Sequence, residues 1–178
     1  TDMSSMFMDM SSLTNLIMPN LDTSNVAQMY AMFNGLTSMT TLDLSHFNTS
    51  QVMSMGAMFQ NTPQLSHLNL SSFDTSQVTD MSSMFEEGMA DNSVLDLSSF
   101  DTAQVNYAYG MFSNARPRTI FVSNSFVLDS VDEADELFSG NNNLIGGNGT
   151  AFSASNPTNK TYARIDEPGT PGYFTRKP

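Results

Sequence analysis

The chain of 178 residues contains no cysteine and no tryptophan, and only 6 residues are Lys or Arg. Without cysteine there is no disulfide framework, no thiolate metal site and no cysteine nucleophile. That absence leaves the compartment open, because many exported proteins of Gram-positive bacteria also lack cysteine. The few basic residues face 18 Asp and Glu, for a net charge of -12 and a sequence pI near 4.1. Such a surface repels phosphate backbones and anionic headgroups, so direct binding to nucleic acid or to a membrane surface is not expected. No apolar run reaches transmembrane length, and the chain opens on Thr1-Asp2-Met3 with neither a basic nor an apolar leader segment.

What the chain does have is a repeat. An Asp/Asn-Thr-Ser-like triplet, a Val and a Met-x-x-Met-Phe recur, with the closing aromatics at Phe7, Phe33, Phe59, Phe85, Phe112 and Phe138. The steps are 26, 26, 26, 27 and 26 residues. A fixed period in this range predicts a solenoid of stacked coils, hence one elongated domain and rows of equivalent residues. The first Met-x-x-Met-Phe, at Met3, Met6 and Phe7, has no Val before it. The numbering is therefore expected to begin inside a coil, with upstream repeats cut away and an apolar edge able to associate end to end; otherwise a monomer is expected.

The coil from Leu65 to Phe85 is the clearest copy. Leu68-Asn69-Leu70 alternates with period two, predicting a short half-buried strand. Val78, Met81, Met84 and Phe85 are spaced three, three and one, which predicts one stripe of a short helix. Between them Asp74, Thr75 and Ser76 are turn formers and helix caps. The same parts recur as Leu42, Leu44, Phe47, Val52, Met55, Met58 and Phe59, and as Leu95, Leu97, Phe100, Val105, Ala108, Met111 and Phe112. The fold class is thus α/β, with one short parallel strand and one short helix per coil of about 26 residues. The Met and Phe rows are read as core between coils, Met being suited to irregular gaps. In the last coil Ser130 with Glu133 makes a capping box. The repeat array is placed at 1–144. Gly146-Gly147-Asn148-Gly149 breaks it, and 145–178 is read as a β cap over the open end, with strand-like pieces at Tyr162–Ile165 and Gly172–Thr175.

Written out as Leu-Asp-Leu-Ser-x-Phe-x-Thr-Ser-Gln-Val-x-x-Met-x-x-Met-Phe, the repeat resembles the BspA-like leucine-rich repeats of bacterial surface proteins. Residues 42–59 and 68–85 match most fully, and 95–112 closely. The closing Gly-Gly-Asn-Gly-Thr, Tyr-Ala-Arg-Ile-Asp and Pro-Gly-Tyr-Phe-Thr are similar to the end of such arrays in cell-wall proteins of lactic-acid bacteria. Members often carry Cys three residues after the Phe; here those positions are Met10, Leu36, Thr62, Ala115 and Asn141, with Gly88 or Met89 in the longer coil. The resemblance implies an extracellular adhesin anchored to the bacterial cell wall, binding host mucin glycoproteins, glycans or matrix protein. It supplies no residue-level site.

In such a solenoid the strands line the concave face. Register gives an outward row of Ile17, Asp43, Asn69, Asp96 and Phe121. Two residues earlier lie Asn15, Thr41, His67, Val94 and Thr119, and two later Pro19, Ser45, Ser71, Ser98 and Ser123. From these the candidate ligand-binding residues are Thr41, Asp43, His67, Asn69, Asp96 and Phe121, a hydrogen-bonding surface with one aromatic. Binding to acidic glycans is expected to strengthen at acid pH as carboxylates protonate and His46 and His67 charge. The alternative is a passive stalk that spaces another binding domain from the wall.

No enzyme is expected, and neither metal nor cofactor. Asp43 and Asp96 stand two strand spacings apart, roughly 10 Å, on a shallow face without a pocket. There is no nucleophile elbow, zinc-protease motif or phosphate loop. Asp132, Glu133, Asp135 and Glu136 are read as a solvated face, and His46 and His67 fall at different coil positions. The row Thr23, Thr49, Thr75 and Thr102 is read as a hydrogen-bond ladder turned partly inward, since Leu128 replaces Thr in the last coil.

Overall fold

The computed structural model describes residues 1–129, 131–155 and 160–178. Its strands are short and parallel: β1 Thr41–Asp43, β2 His67–Asn69, β3 Val94–Leu97, β4 Thr119–Val122 and, after a single 3-10 turn at Lys160–Tyr162, β5 Thr175–Arg176. The predicted register holds within each ladder. Thr41 pairs with His67 and Asp43 with Asn69, while Val94 pairs with Thr119 and Asp96 with Phe121. No strand forms at Asn15, Ile17 and Pro19. In the coils of β1, β2 and β3 the strand ends in a turn whose carboxylate or amide oxygen accepts the amide hydrogen two residues on, as from Ser45 to Asp43 at 3.0 Å. Pro19 has no amide hydrogen to donate into such a turn.

The helix expected in each coil does not form, and there is no α-helix among the described residues. Backbone groups in Met55–Asn61 instead alternate. Met55, Ala57, Phe59 and Asn61 donate to Asp80, Ser82, Met84 and Glu86 of the next coil at 2.8–3.0 Å, while Met58 and Gln60 donate three residues back within their own coil. The same alternation runs from Met3 through Asn114. It requires a left-handed residue two before each Phe: Ser5, Ala31, Ala57, Ser83, Gly110 and Glu136, all with φ between 52° and 57°. The reason is physical. Eight residues cannot repay the cost of nucleating a helix, whereas turns stacked on turns satisfy the backbone through the neighbouring coil. A run of turns also brings residues three apart to one side, so the spacing of Val, Met and Met fits either structure.

The inward rows are core, as expected. Val52, Val78, Met55, Met81, Met84, Phe59 and Phe85 are fully buried. Phe7, Phe33, Phe59, Phe85, Phe112 and Phe138 form one stack, with ring centroids 5.5–5.8 Å apart and planes within 12°, the offset geometry aromatic rings prefer. Phe47, Phe73 and Phe100 form a second. The Thr row turns inward and is buried. Each hydroxyl donates to a carbonyl of the next coil and accepts an amide hydrogen from the same residue.

The tail closes the far end. β5 pairs with β4, and Tyr173 and Phe174 are fully buried against Phe138, Phe112 and Phe126. The strand-like pieces are shorter than expected: Tyr162 ends the 3-10 turn, and only Ile165 bridges Phe174. Asp166, also buried, ties the tail together. It accepts from the amides of Asn148 and Thr150 at 2.8 and 2.9 Å, the Thr150 hydroxyl at 2.7 Å and the Gly172 amide at 3.3 Å. Gly146 is needed there, since a Cβ would lie 2.3 Å from the Gly172 carbonyl oxygen. Of the proposed capping box, Ser130 lies outside the described residues.

Candidate functional site

The parallel strands do not form one continuous sheet. β1 and β2 form one ladder, β3, β4 and β5 another, and none joins β2 to β3. The break coincides with the single 27-residue step, between Phe85 and Phe112. The approach to β3 holds two further left-handed residues, Met89 at φ 66° and Asn92 at 60°. Met89 is tucked into the core and Ala90 donates to the Leu65 carbonyl at 2.9 Å. The chain thus reaches β3 one residue late and the sheet splits. Leu68 shows the effect: it is half-buried, whereas Leu42 and Leu95, at the equivalent positions, are buried.

The split opens a cleft of about 880 Å3, floored by Leu68 and rimmed by Thr41, Asp43, His67 and Asn69 on one side and Asp91, Asn92, Ser93, Val94 and Asp96 on the other. Five of the six candidate residues therefore share it. Phe121 does not line it. Thr41, Asp43, His67 and Asn69 are exposed, while Asp96 and Phe121 are half-buried because the tail reaches them. The Lys177 ammonium pairs with the Asp96 carboxylate and sits 5.2 Å from the centre of the Phe121 ring, a cation over an aromatic face.

Asp43, Asn69 and Asp96 each spend Oδ1 on the amide two residues on, at 3.0, 3.2 and 3.1 Å. Part of the row's chemistry is thus turn formation. The Ser45 amide, then its hydroxyl and the Asn69 side chain, hold the Asp43 carboxyl below the usual carboxylate range. For Asp96, burial acts to raise the value, but hydrogen bonds from Lys177 and Ser98 outweigh it and the net direction is down. Both stay ionised where ordinary carboxyls begin to protonate. Neither is the raised carboxyl a general acid needs.

Charge is divided along the chain. Residues 1–115 hold eleven Asp and Glu and no Lys or Arg, against seven and six in 116–178. The open half of the face lies in the first of these. Spacing alone could not reveal Leu68, the Asp91–Ser93 wall or the Lys177 clamp; the 27-residue step was the available signal for the first two. No cluster of His, Asp or Glu suited to a metal occurs among the described residues, and none of their helices is long and apolar enough to cross a membrane.

A family model described as a Mycoplasma protein of unknown function, DUF285, matches residues 1–69 and again 40–148. The chain belongs to the DUF285 family. The matches cover the coils, overlap over residues 40–69 and leave most of the tail outside. No curated protein and no solved structure matches the chain.

Proposed function

We propose that this DUF285 member is a non-enzymatic adhesion module of the BspA-like leucine-rich-repeat kind, displayed on a bacterial cell surface and binding mucin, host glycans or matrix protein. The observation that carries the reading is the cleft where β2 and β3 part, which gathers Thr41, Asp43, His67, Asn69 and Asp96 around an apolar floor. Recognition sites are typically concave and mostly apolar, with a few polar groups that set orientation. The stacked coils hold those groups on a rigid frame, which favours binding because little ordering is left to be done. The acid-strengthened adhesion to sialylated or sulfated mucin draws nothing from Asp43 and Asp96, whose carboxyls are held below the usual range.

The test is an array of glycans and matrix proteins probed with the chain and with the triple variant Asp43→Ala, Asn69→Ala, Asp96→Ala. A ligand bound by the parent and lost by the folded variant supports the reading. Binding retained by the folded variant moves the site elsewhere. A passive stalk is the second reading, favoured by the unbroken Phe stack, and silence across the whole array would select it.

A further inference from the structure

The rim of the cleft divides into groups that already have partners and groups that do not. Each of its three carboxylates is engaged. Asp43 is held by the Ser45 amide and by the Ser45 and Asn69 side chains, Asp91 by the Arg116 guanidinium at 3.9 Å and the Asn143 side-chain amide at 3.4 Å, and Asp96 by Lys177 and Ser98. Three neutral side chains on the same rim, Thr41, His67 and Asn92, are exposed and keep bonding capacity. The Thr41 hydroxyl and the Asn92 side-chain amide bond no described residue, and His67, joined to the Ser66 hydroxyl through Nδ1 at 2.9 Å, keeps Nε2. Between these groups the surface is apolar, with Leu68 half-buried on the floor and Val94, 50% exposed, on the wall.

Resting on the proposed binding function, we infer that the cleft takes a neutral saccharide, seated by its C–H face on Leu68 and Val94 with its hydroxyls bonded to Thr41, His67 and Asn92. Shape supports this occupant. β3 lies against the β2 edge without laddering to it, which excludes an inserted strand and leaves room for a compact ring lying on the face above Leu68. A pyranose offers apolar C–H faces and a periphery of hydroxyls that both donate and accept, the complement of an apolar centre inside a neutral polar rim. The cleft, about 880 Å3, is within the usual size of a small-ligand site. Charge supports it as well. A cation would have to compete for carboxylates that already have partners, and two of those partners, Arg116 and Lys177, are themselves cations. A sialylated or sulfated sugar meets the field of residues 1–115, which hold eleven Asp and Glu and no Lys or Arg. An uncharged ligand meets neither cost.

The experiment is an NMR titration of the whole chain, labelled at its Leu and Val methyl groups, with neutral lacto-N-neotetraose, its sialylated form and a glucosamine trimer bearing free amines. The neutral sugar should shift the Leu68 and Val94 methyls, leave those of Val127 in place, and bind with little change as salt is raised. The sialylated form should bind about five-fold more weakly. His67→Ala and Val94→Asn, both at exposed side chains, should each weaken the neutral sugar by about five-fold, with circular dichroism checking the fold. Equal or tighter binding of either charged sugar, shifts confined to methyls outside the cleft, unchanged affinity in either folded variant, or no binding of the neutral sugar would overturn the inference. If the neutral sugar does not bind while a matrix protein on the array binds the parent and not the triple variant, the inference falls and the adhesion function stands. The function itself falls separately, on silence across that array.

Discussion

The Thr49 hydroxyl donates to the Asp74 carbonyl at 2.8 Å and accepts from the Asp74 amide at 2.9 Å, so one buried side chain satisfies both backbone groups of a residue in the next coil. Thr75 does the same for Asp101 at 2.7 and 2.8 Å. Thr75→Val keeps the shape and removes the oxygen, leaving a donor and an acceptor unmet, which should cost about 2 kcal/mol. Thr75→Ser keeps the oxygen and should lose only about 1 kcal/mol for the missing methyl. Urea melts of the two variants decide it: an order reversed, with Ser the more damaging, would show that packing rather than hydrogen bonding gives the row its role.

Phe85 lies between Phe59 and Phe112, with centroids at 5.5 and 5.8 Å, and is fully buried. Phe85→Ala should cost about 3 to 5 kcal/mol, as expected for emptying an aromatic site in a core whose neighbours cannot collapse into it. Thermal unfolding is the readout, with Met53→Ala, on an exposed side chain, as the comparison. Equal melting temperatures for the two variants would contradict the core assignment.

Ala57 is left-handed at φ 54°. Were this stretch helical, Ala57→Gly would cost about 1 kcal/mol. Here the substitution relieves the Cβ clash of the left-handed region while loosening the unfolded chain, and the two effects nearly cancel. A change within about 0.5 kcal/mol of zero, or a small gain, is expected. The chain already carries Gly110 at the equivalent place, at φ 57°. A loss of the full helical size would restore the helix.

Asp166 tests the cap by pH. Burial acts to raise its carboxyl, but hydrogen bonds from Thr150, Gly172 and Asn148 outweigh this and lower it from 3.8. A depressed folded value means the contribution is present in full above the ordinary 3.8 and fades as pH falls through the lowered value. Asp166→Asn should therefore destabilise by about 2 to 3 kcal/mol near neutral pH. The gap from the parent should shrink only below about pH 4. Thermal melts followed by near-UV circular dichroism of the stacked Tyr162 and Tyr173 measure both. A gap that does not change down to strong acid would mean that the Asp166 charge plays no part.

Much of this arrangement is legible in residue order because the repeat lets one coil be read against another. Leu42, Leu68 and Leu95 fall at equivalent places, and the pairing of Asp43 with Asn69 and of Asp96 with Phe121 follows from counting alone. The inward turn of Thr23 through Thr102 follows from Leu128 taking the next place in the row. What counting could not resolve is backbone hand. Val78, Met81 and Met84 recur at three-residue steps in a helix and in stacked turns alike, and only the left-handed Ser83 separates the two. Nor could it foresee contacts between a coil and the tail, since Lys177 and Asp96 are 81 residues apart and outside the repeat relation. The split at β2 was announced by the 27-residue step, yet an extra residue can equally bulge outward and leave a sheet intact.

The alternating backbone bonds also decide how the molecule meets force. Phe59 to Met84 and Phe85 to Met111, both at 2.9 Å, join each coil to the next along the stack, so tension between the two ends loads the junctions in series. A coil that yields pays out roughly 85 Å of extended chain and leaves its neighbours still folded, because each coil's hydrogen bonds and ring stacking reach only the adjacent ones. A pull along the stack is therefore met in steps of one coil, each step dissipating work before the next junction is loaded.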